Sequence, residues 1–177
     1  LAKLGIEDDT ILMFMSDNGQ CGGAAGREPD VYNAGMRGFK GSEYDGGHRI
    51  PFFMRWPAGG LDEGRTVDEL TSYVDFMPTI LDLCGVAVPE ERTFHGDSVT
   101  PLIRGDNSDP RWRERVVVTD TQRVSNPIKW RKSSVMKDTW RLVNHDELYD
   151  LSTDPGQTTN VAAEHPAVVV ELIEHLV

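Results

Sequence analysis

Residues 10–19 read Thr-Ile-Leu-Met-Phe-Met-Ser-Asp-Asn-Gly, an apolar run that ends in polar residues and a glycine. A run that is apolar on both faces is typical of a buried strand in a parallel or mixed sheet that helices cover. In open α/β sheets, ligands bind outside the carboxyl ends of the strands. This stretch therefore predicts an α/β domain with a ligand site directly after the strand.

Asp17 and Asn18, at the end of this strand, are the first candidate ligands. A carboxylate and an amide carbonyl are hard oxygen donors of the kind that Ca²⁺ and Mg²⁺ prefer. The alternative is a tight turn without a ligand, because Asn-Gly is a strong turn dipeptide. From these residues alone, both interpretations stay open.

A glycine-rich loop follows, in which residues 36–51 read Met-Arg-Gly-Phe-Lys-Gly-Ser-Glu-Tyr-Asp-Gly-Gly-His-Arg-Ile-Pro. Its basic side chains are Arg37, Lys40, His48 and Arg49. Glycines let the backbone approach a ligand closely, and positive charge attracts an anion. The loop therefore indicates an anion site; the alternative is a flexible loop with solvated charges.

The middle of the chain contains one clear helix signal. Asp75 can cap a helix whose first turn accepts Pro78 and which ends at Gly85. The apolar stripe between them predicts a packed helix.

The last third of the chain predicts a different architecture. Four short apolar segments are separated by turns, at residues 115–119, 134–136, 140–143 and 147–151. This spacing predicts an antiparallel meander, and helical periodicity over 167–177 predicts a terminal helix packed on it. We therefore predict the end of an α/β domain over 1–108, and a small antiparallel sheet with a carboxyl-terminal helix over 109–177.

Composition limits the classes of partner. The chain of 177 residues carries 29 acidic and 18 basic residues, a net charge of −11, which argues against nucleic acid. No apolar run approaches the roughly 20 residues of a membrane span. The two cysteines, Cys21 and Cys84, are too far apart in sequence for a CxxC site, and we expect both to be small buried apolar side chains.

Several of these segments together resemble the carboxyl-terminal part of the type I sulfatases, in the alkaline phosphatase superfamily. The matching motifs are Asp-Asn-Gly at 17–19, Arg-Gly-Phe-Lys-Gly-Ser-Glu-Tyr-Asp-Gly-Gly-His-Arg at 37–49, Arg-Trp-Pro at 55–57, Ser-Tyr-Val-Asp-Phe-Met-Pro-Thr-Ile-Leu at 72–81 and Leu-Tyr-Asp-Leu-Ser-Thr-Asp-Pro at 148–155. The resemblance covers nearly the whole chain.

The resemblance implies roles for three residues. Asp17 and Asn18 would be ligands of a divalent cation, Ca²⁺, and Lys40 would bind the sulfate and act in catalysis. The substrate would be a sulfated small molecule or carbohydrate, with no nucleic acid or membrane as partner. Arg37 and Arg49 would order the loop.

The sequence departs from the family at the nucleophile. These sulfatases use a formylglycine made from the Cys or Ser of a C/S-x-P-x-R motif, and no such motif is present. The nearest match, at 125–129, has Lys129 in place of Arg, and we interpret it as chance. We expect the nucleophile, further metal ligands and any targeting signal to lie before Leu1, so the compartment is not predicted.

Two alternatives to a sulfatase stay open on the sequence. The same scaffold acts on phosphate or phosphonate esters, since these motif residues suit any tetrahedral oxyanion. A noncatalytic relative that binds sulfated glycans through the glycine loop is the second alternative.

Overall fold

The computed structural model describes residues 1–21, 32–62, 64–89 and 91–176, and in it the chain forms two units. Unit 1 comprises Leu1–Phe14 and Phe52–Arg115, and unit 2 comprises Met15–Pro51 and Val116–Val177. The units follow spatial proximity, whereas the predicted domains 1–108 and 109–177 follow chain order. That predicted division stays a prediction.

Six strands and five helices make up the regular structure of the described residues. The strands are β1 (Leu12–Met15), β2 (Phe52–Arg55), β3 (Val116–Asp120), β4 (Ser133–Lys137), β5 (Trp140–Val143) and β6 (Glu147–Asp150). The helices are α1 (Asp45–His48), α2 (Phe76–Leu83), α3 (Thr100–Ile103), α4 (Arg111–Glu114) and α5 (Pro166–Ile173). Short 3₁₀ turns lie at Ala2–Leu4, Pro57–Gly59 and Tyr73–Asp75. None of the helices in the described part of the chain has the length and apolar character needed to cross a bilayer.

Unit 2 is built on an antiparallel sheet with the order β3-β4-β5-β6. The register pairs Val135 with Leu142 and Leu142 with Leu148, so that these apolar side chains lie side by side. The three are fully buried, and Leu172 of α5 packs against them. The predicted antiparallel sheet with a carboxyl-terminal helix is confirmed, and the helix buries the apolar face of the sheet.

Unit 1 holds the second sheet, in which β1 pairs with β2. The sequence predicts that β1 is buried on both faces, but Leu12 is 50% exposed and Phe14 is 65% exposed. That expectation is wrong for the described residues, in which both side chains stay accessible to solvent. A continuous apolar sequence shows that a strand can be buried. It does not show which other elements pack over the strand.

The helix predicted after Asp75 is present as α2, and Gly85 follows its end with a φ of 65°. Asp75 occupies the cap position, but its carboxylate makes no hydrogen bond to the helix. Its oxygens instead accept hydrogen bonds from the backbone N–H of Ser72 at 2.7 Å and from Arg115 at 2.6 Å. Asp75 therefore forms a capping box with Ser72 at the 3₁₀ turn before α2 and joins that turn to Arg115, rather than capping α2 itself.

The two cysteines also differ from expectation. Cys21 and Cys84 are both exposed and form no disulfide. Cys84 comes directly after the last residue of α2, and Cys21 lies in the segment after β1, where neither side chain reaches a core.

Candidate functional site

The predicted site residues all belong to unit 2, where two segments of backbone lie against each other. The N–H of Gly19 donates to the carbonyl of Gly47 at 3.0 Å, and the N–H of Lys40 donates to the carbonyl of Gln20 at 2.9 Å. Asp17 and Asn18 directly precede the first of these contacts. The two hydrogen bonds therefore bring the candidate metal ligands and the segment of Lys40 into one loop cluster.

Glycines make this close approach possible. A Cβ atom added to Gly19 would lie 1.8 Å from the carbonyl oxygen of Gly46, and one added to Gly46 would lie 2.3 Å from the carbonyl oxygen of Gly38. No side chain fits at such distances without displacing the backbone. The glycines at these positions are therefore required by packing, whether or not a ligand also approaches them.

Asp17 and Asn18 offer a partial set of cation ligands. The Asp17 side chain is exposed, and Asn18 is half-buried while its carbonyl accepts a hydrogen bond from Ser16 Oγ at 2.8 Å. Among the described residues, no group of three or more His, Cys, Asp or Glu side chains could hold a metal ion. The two side chains suit Ca²⁺ in kind, but they supply about two of the 6–8 oxygens that it prefers.

Lys40 lies on the exposed side of the loop, and no described carboxylate forms an ion pair with it. An exposed ammonium without such a partner can bind an external anion without first breaking an internal contact. The structure thus gives Lys40 the accessibility that sulfate binding needs, while its role stays a prediction.

Below the exposed face, the loop is held by a buried ion pair that sequence analysis missed. Asp45, in α1, is 2% exposed and accepts a hydrogen bond from Nε of Arg141 in β5 at 3.3 Å. Nη1 of Arg141 donates to the carbonyls of Asp138 at 2.8 Å and Trp140 at 2.9 Å. Burial lowers the pKa of the Arg141 guanidinium, and the nearby Asp45 carboxylate opposes that shift. The pair joins α1 to the four-stranded sheet.

Three further residues contact Asp45. His48 Nε2 lies 3.7 Å from Asp45 Oδ1, and Arg49 Nη1 lies 3.6 Å from Asp45 Oδ2. Burial lowers the pKa of His48, while the adjacent Asp45 carboxylate opposes the shift and Arg141 adds to it. Gln157, fully buried, accepts the backbone N–H of Asp45 at 2.8 Å.

Arg37 holds the start of the loop through aromatic and polar contacts. Its guanidinium lies 3.8 Å from the ring centre of Tyr44, and Nη1 donates to Tyr149 Oη at 2.8 Å and to the carbonyl of Gln157 at 3.0 Å. Glu147 accepts hydrogen bonds from both tyrosine hydroxyls. Burial and these hydrogen bonds raise the pKa of Tyr44 above its usual range, and raise that of Tyr149 to about 12. The tyrosines therefore stay neutral donors at physiological pH.

Sequence reasoning proposed Asp17, Asn18 and Lys40 as site residues and did not identify the buried residues that hold the loop. A signal for Arg141 was present, since it is a charged residue inside the apolar strand Trp-Arg-Leu-Val. Such a residue needs a buried partner. Nothing in the local sequence identifies that partner as Asp45, which lies 96 residues earlier.

Comparison with known proteins identifies the family that this chain matches. A family model described as N-sulphoglucosamine sulphohydrolase, C-terminal, matches residues 39–177. The N-acetylgalactosamine-6-O-sulfatase of Bacteroides thetaiotaomicron is 31% identical over an alignment that covers 99% of this chain and 37% of that protein. The steryl-sulfatase of Mus musculus is 38% identical over 60% of this chain and 17% of that protein. The chain thus spans less than half the length of these curated relatives.

Solved structures match along nearly the whole chain. The crystal structure of Ps i-CgsB superposes with a TM-score of 0.79 at 24% identity, over 99% of this chain and 37% of that one. The structure of BT4656 in complex with its substrate D-glucosamine-2-N,6-O-disulfate gives a TM-score of 0.71 at 26% identity, over 99% of this chain and 35% of that one. At 24% identity the first match shows a shared fold.

Proposed function

Because this chain belongs to the N-sulphoglucosamine sulphohydrolase, C-terminal family, a family of sulfatases, we propose that it supplies the sulfate-binding and cation-binding half of a sulfatase active site. The observation that carries the proposal is the pair of backbone contacts, Gly19 to Gly47 and Gln20 to Lys40, that join the Asp17 segment to the Lys40 loop. A sulfate ester bound there would lie near both Lys40 and a cation held by the Asp17 segment.

Lys40 performs the main electrostatic step in this proposal. Its ammonium donates to a sulfate oxygen in the bound ester, and it stabilises the negative charge that grows as the ester bond breaks. Interactions that strengthen in the transition state accelerate the reaction, so the lysine contributes to both binding and rate. The buried Asp45–Arg141 pair keeps the loop backbone in place while this happens.

Asp17 and Asn18 would hold Ca²⁺ in the same proposal, together with ligands from outside these 177 residues. When bound, the ion would supply a second positive charge to the sulfate oxygens. The carboxylate of Asp17 is exposed and therefore accessible to such an ion. The formylglycine nucleophile would also come from outside, since no C/S-x-P-x-R motif is present. We expect this chain by itself not to hydrolyse an aryl sulfate.

A sulfated sugar is the substrate class that the relatives support best. The relative named as an N-acetylgalactosamine-6-O-sulfatase aligns with 99% of this chain, whereas the steryl-sulfatase of Mus musculus aligns with 60%. BT4656, whose described substrate is a glucosamine disulfate, also matches 99% of the chain. We therefore propose a sulfated amino sugar or a related carbohydrate.

The test is a set of Lys40 variants in the full-length enzyme, assayed on a 6-O-sulfated N-acetylhexosamine. Lys40→Ala should lower kcat/KM by roughly 10²-fold, in line with removal of a donor aimed at a developing negative charge. Lys40→Arg should restore little, because a planar guanidinium does not place its charge where a compact ammonium does. Lys3→Ala removes a similarly exposed lysine from unit 1 and serves as the matched control.

Two results would contradict the proposal. Wild-type kcat/KM in Lys40→Ala, with an unchanged melting temperature, would remove this residue from the site. A higher kcat/KM on the phosphate ester of the same sugar would assign the scaffold to phosphate chemistry instead.

A further inference from the structure

The loop that carries Lys40 closes on itself at its base. The N–H of Gly46 donates to the carbonyl of Arg37 at 2.8 Å, so that residues 37–46 form a closed loop. Inside it, the N–H of Ser42 donates to the carbonyl of Phe39 at 2.8 Å and fixes the turn around Lys40. A displacement of the base is therefore transmitted to Lys40, and the position of its ammonium depends on what holds the base.

Gln157 binds both sides of this base. Its backbone carbonyl accepts a hydrogen bond from Nη1 of Arg37 at 3.0 Å, and its side-chain Oε1 accepts one from the backbone N–H of Asp45 at 2.8 Å. The side chain is fully buried, and the residue follows Asp45 by 112 positions. A single residue from the turns after β6 therefore holds the start and the end of the closed loop.

The segment that carries Gln157 is itself fixed. The N–H of Gln157 donates to the carbonyl of Asp154 at 3.1 Å, and the Asp154 carboxylate accepts the N–H of Thr158 at 2.7 Å and that of Thr159 at 2.8 Å. Gln157 has a φ of 50°, a conformation that L-residues rarely adopt and that persists only where the surrounding structure holds it. The acceptor offered to the loop is thus pre-ordered.

The two ends of the Gln157 amide are used unequally. Oε1 accepts the Asp45 N–H, whereas Nε2 is buried and has no hydrogen-bond partner among the described residues. A buried donor without a partner costs free energy, and an apolar side chain of similar length would avoid that cost if the position served only to fill space. The acceptor oxygen is therefore the group that this position supplies.

We propose that Gln157 is a positioning residue for Lys40: it holds the base of the closed loop and so places the Lys40 ammonium, without itself touching the sulfate. The inference rests on the proposed role of Lys40 in sulfate binding and catalysis. Misplacement of a reacting group by about 1 Å can cost roughly 10²-fold in rate. Without the acceptor, the base can shift, and Lys40 then stabilises the transition state less well.

The experiment measures steady-state kinetics of the full-length enzyme on a 6-O-sulfated N-acetylhexosamine. Gln157→Met keeps the length of the side chain and removes the acceptor. It should lower kcat/KM by about tenfold or more, mainly through kcat, because the lost positioning acts in the transition state. The control is Gln122→Met, which removes an amide that hydrogen-bonds Asp120 and Ile128 in the β3–β4 connection. It should change kcat/KM by less than about twofold.

The deciding comparison repeats Gln157→Met in the Lys40→Ala background. If Gln157 acts through Lys40, the second substitution should lower kcat/KM there by less than about twofold, since residues that act as a unit are not additive. A residue that only stabilises the fold would give the same fold-loss in both backgrounds. If Gln157→Met does not fold, Arg37→Gln takes its place, because that side chain is 40% exposed and donates the other hydrogen bond to Gln157.

The outcomes separate this inference from the proposed function. An impaired Lys40→Ala variant together with wild-type kcat/KM in the folded loop-base variant overturns the role of Gln157 alone. An equal fold-loss in the wild-type and Lys40→Ala backgrounds overturns it too, and so does an equal loss in Gln122→Met. Wild-type kcat/KM in Lys40→Ala overturns the proposed function, and the positioning role with it.

Discussion

The four-stranded sheet of unit 2 and the two-stranded sheet of unit 1 are built from strands of similar length. The apolar side chains of the two sheets are nevertheless buried to different extents. Val135, Leu142 and Leu148 of the larger sheet are fully buried, whereas Leu12 and Phe14 of β1 are at least half exposed. The larger sheet has three strand pairings and α5 packed against it. Apolar composition therefore does not by itself decide whether a strand is buried. The number of strands and helices that pack against it does.

The same difference applies to charged residues. The Asp45–Arg141 pair in unit 2 has side chains 2% and 9% exposed, and the Glu7–Arg55 pair in unit 1 has side chains 42% and 41% exposed. Water screens the second pair and not the first. Unit 1 also holds a buried pair, Asp75–Arg115, whose side chains are 3% and 11% exposed. Large effects are therefore expected wherever a pair is buried, and in unit 2 the buried Asp45–Arg141 pair belongs to the same unit as the candidate site residues.

The largest effect is expected from breaking the buried pair. Arg141→Met should lower the free energy of unfolding by about 3–5 kcal/mol, because it leaves the Asp45 carboxylate buried without its main partner. Arg55→Met, the matched change in unit 1, should cost about 0–1 kcal/mol. Urea denaturation of both variants measures the difference. Equal losses would mean that the difference in burial does not decide how much each of these two pairs contributes.

Truncation of a core leucine should come next. Leu142→Ala should cost about 2–5 kcal/mol, since it opens a cavity between β4 and β6 that the neighbouring side chains fill only in part. Leu12→Ala removes the same atoms from a half-exposed position and should cost less than about 1 kcal/mol. The same denaturation assay applies. A similar cost for the two would show that β1 is packed more tightly than its exposure indicates.

The contact between the loop segments allows a sharper test. Gly19→Ala should destabilise the protein by about 1–3 kcal/mol, because its Cβ would overlap the carbonyl of Gly46 and force the segments apart. Gly64→Ala is the control, since no atom lies within 4 Å of its added Cβ. In the full-length enzyme, Gly19→Ala should also lower kcat/KM, whereas Gly64→Ala should not. A fully stable Gly19→Ala variant would mean that the loop cluster is loose.

The smallest expected effect is a pH dependence. Burial holds the pKa of His48 below its unfolded value, so the unfolded chain binds more protons near neutral pH. Stability should therefore be fully present above the unfolded pKa of about 6.5 and fall as the pH drops below it, by at most about 1.4 kcal/mol per pH unit. Besides Asp45, the charged group that acts on His48 is Arg141.

His48→Gln should flatten this dependence between pH 5 and 7, and His95→Gln, which changes an exposed histidine, should leave it intact. Thermal melts across that range check both variants. An unchanged slope in His48→Gln would assign the pH dependence to other groups.

Much of the fold could be predicted from local patterns. The meander and the terminal helix follow from turn spacing and helical periodicity, and both are confirmed. The resemblance to the sulfatases, read from the motifs around Lys40 and Leu148, is confirmed by the family model over 39–177. The roles of Asp17, Asn18 and Lys40 stay predictions.

The predictions that were wrong depended on contacts with residues that are distant in the sequence. The burial of β1 and of the cysteines depends on what covers them. Asp75 was expected to cap α2, whereas its carboxylate binds Ser72 in its own turn and the distant Arg115. A local sequence pattern indicates which contacts a residue can make. It does not indicate which of the possible partners the residue contacts in the folded protein.

The sequence by itself determined the antiparallel meander, the helix after Asp75, the terminal helix and the family, because these depend on residue types at short spacing. Only the tertiary structure decided that Asp45 meets Arg141, that Gly19 lies against Gly46, and that Gln157 accepts hydrogen bonds from both Arg37 and Asp45. These contacts join residues that are far apart in the chain. They arise when the sheet buries its apolar faces and brings the polar groups between them within hydrogen-bonding distance, where each must find a partner.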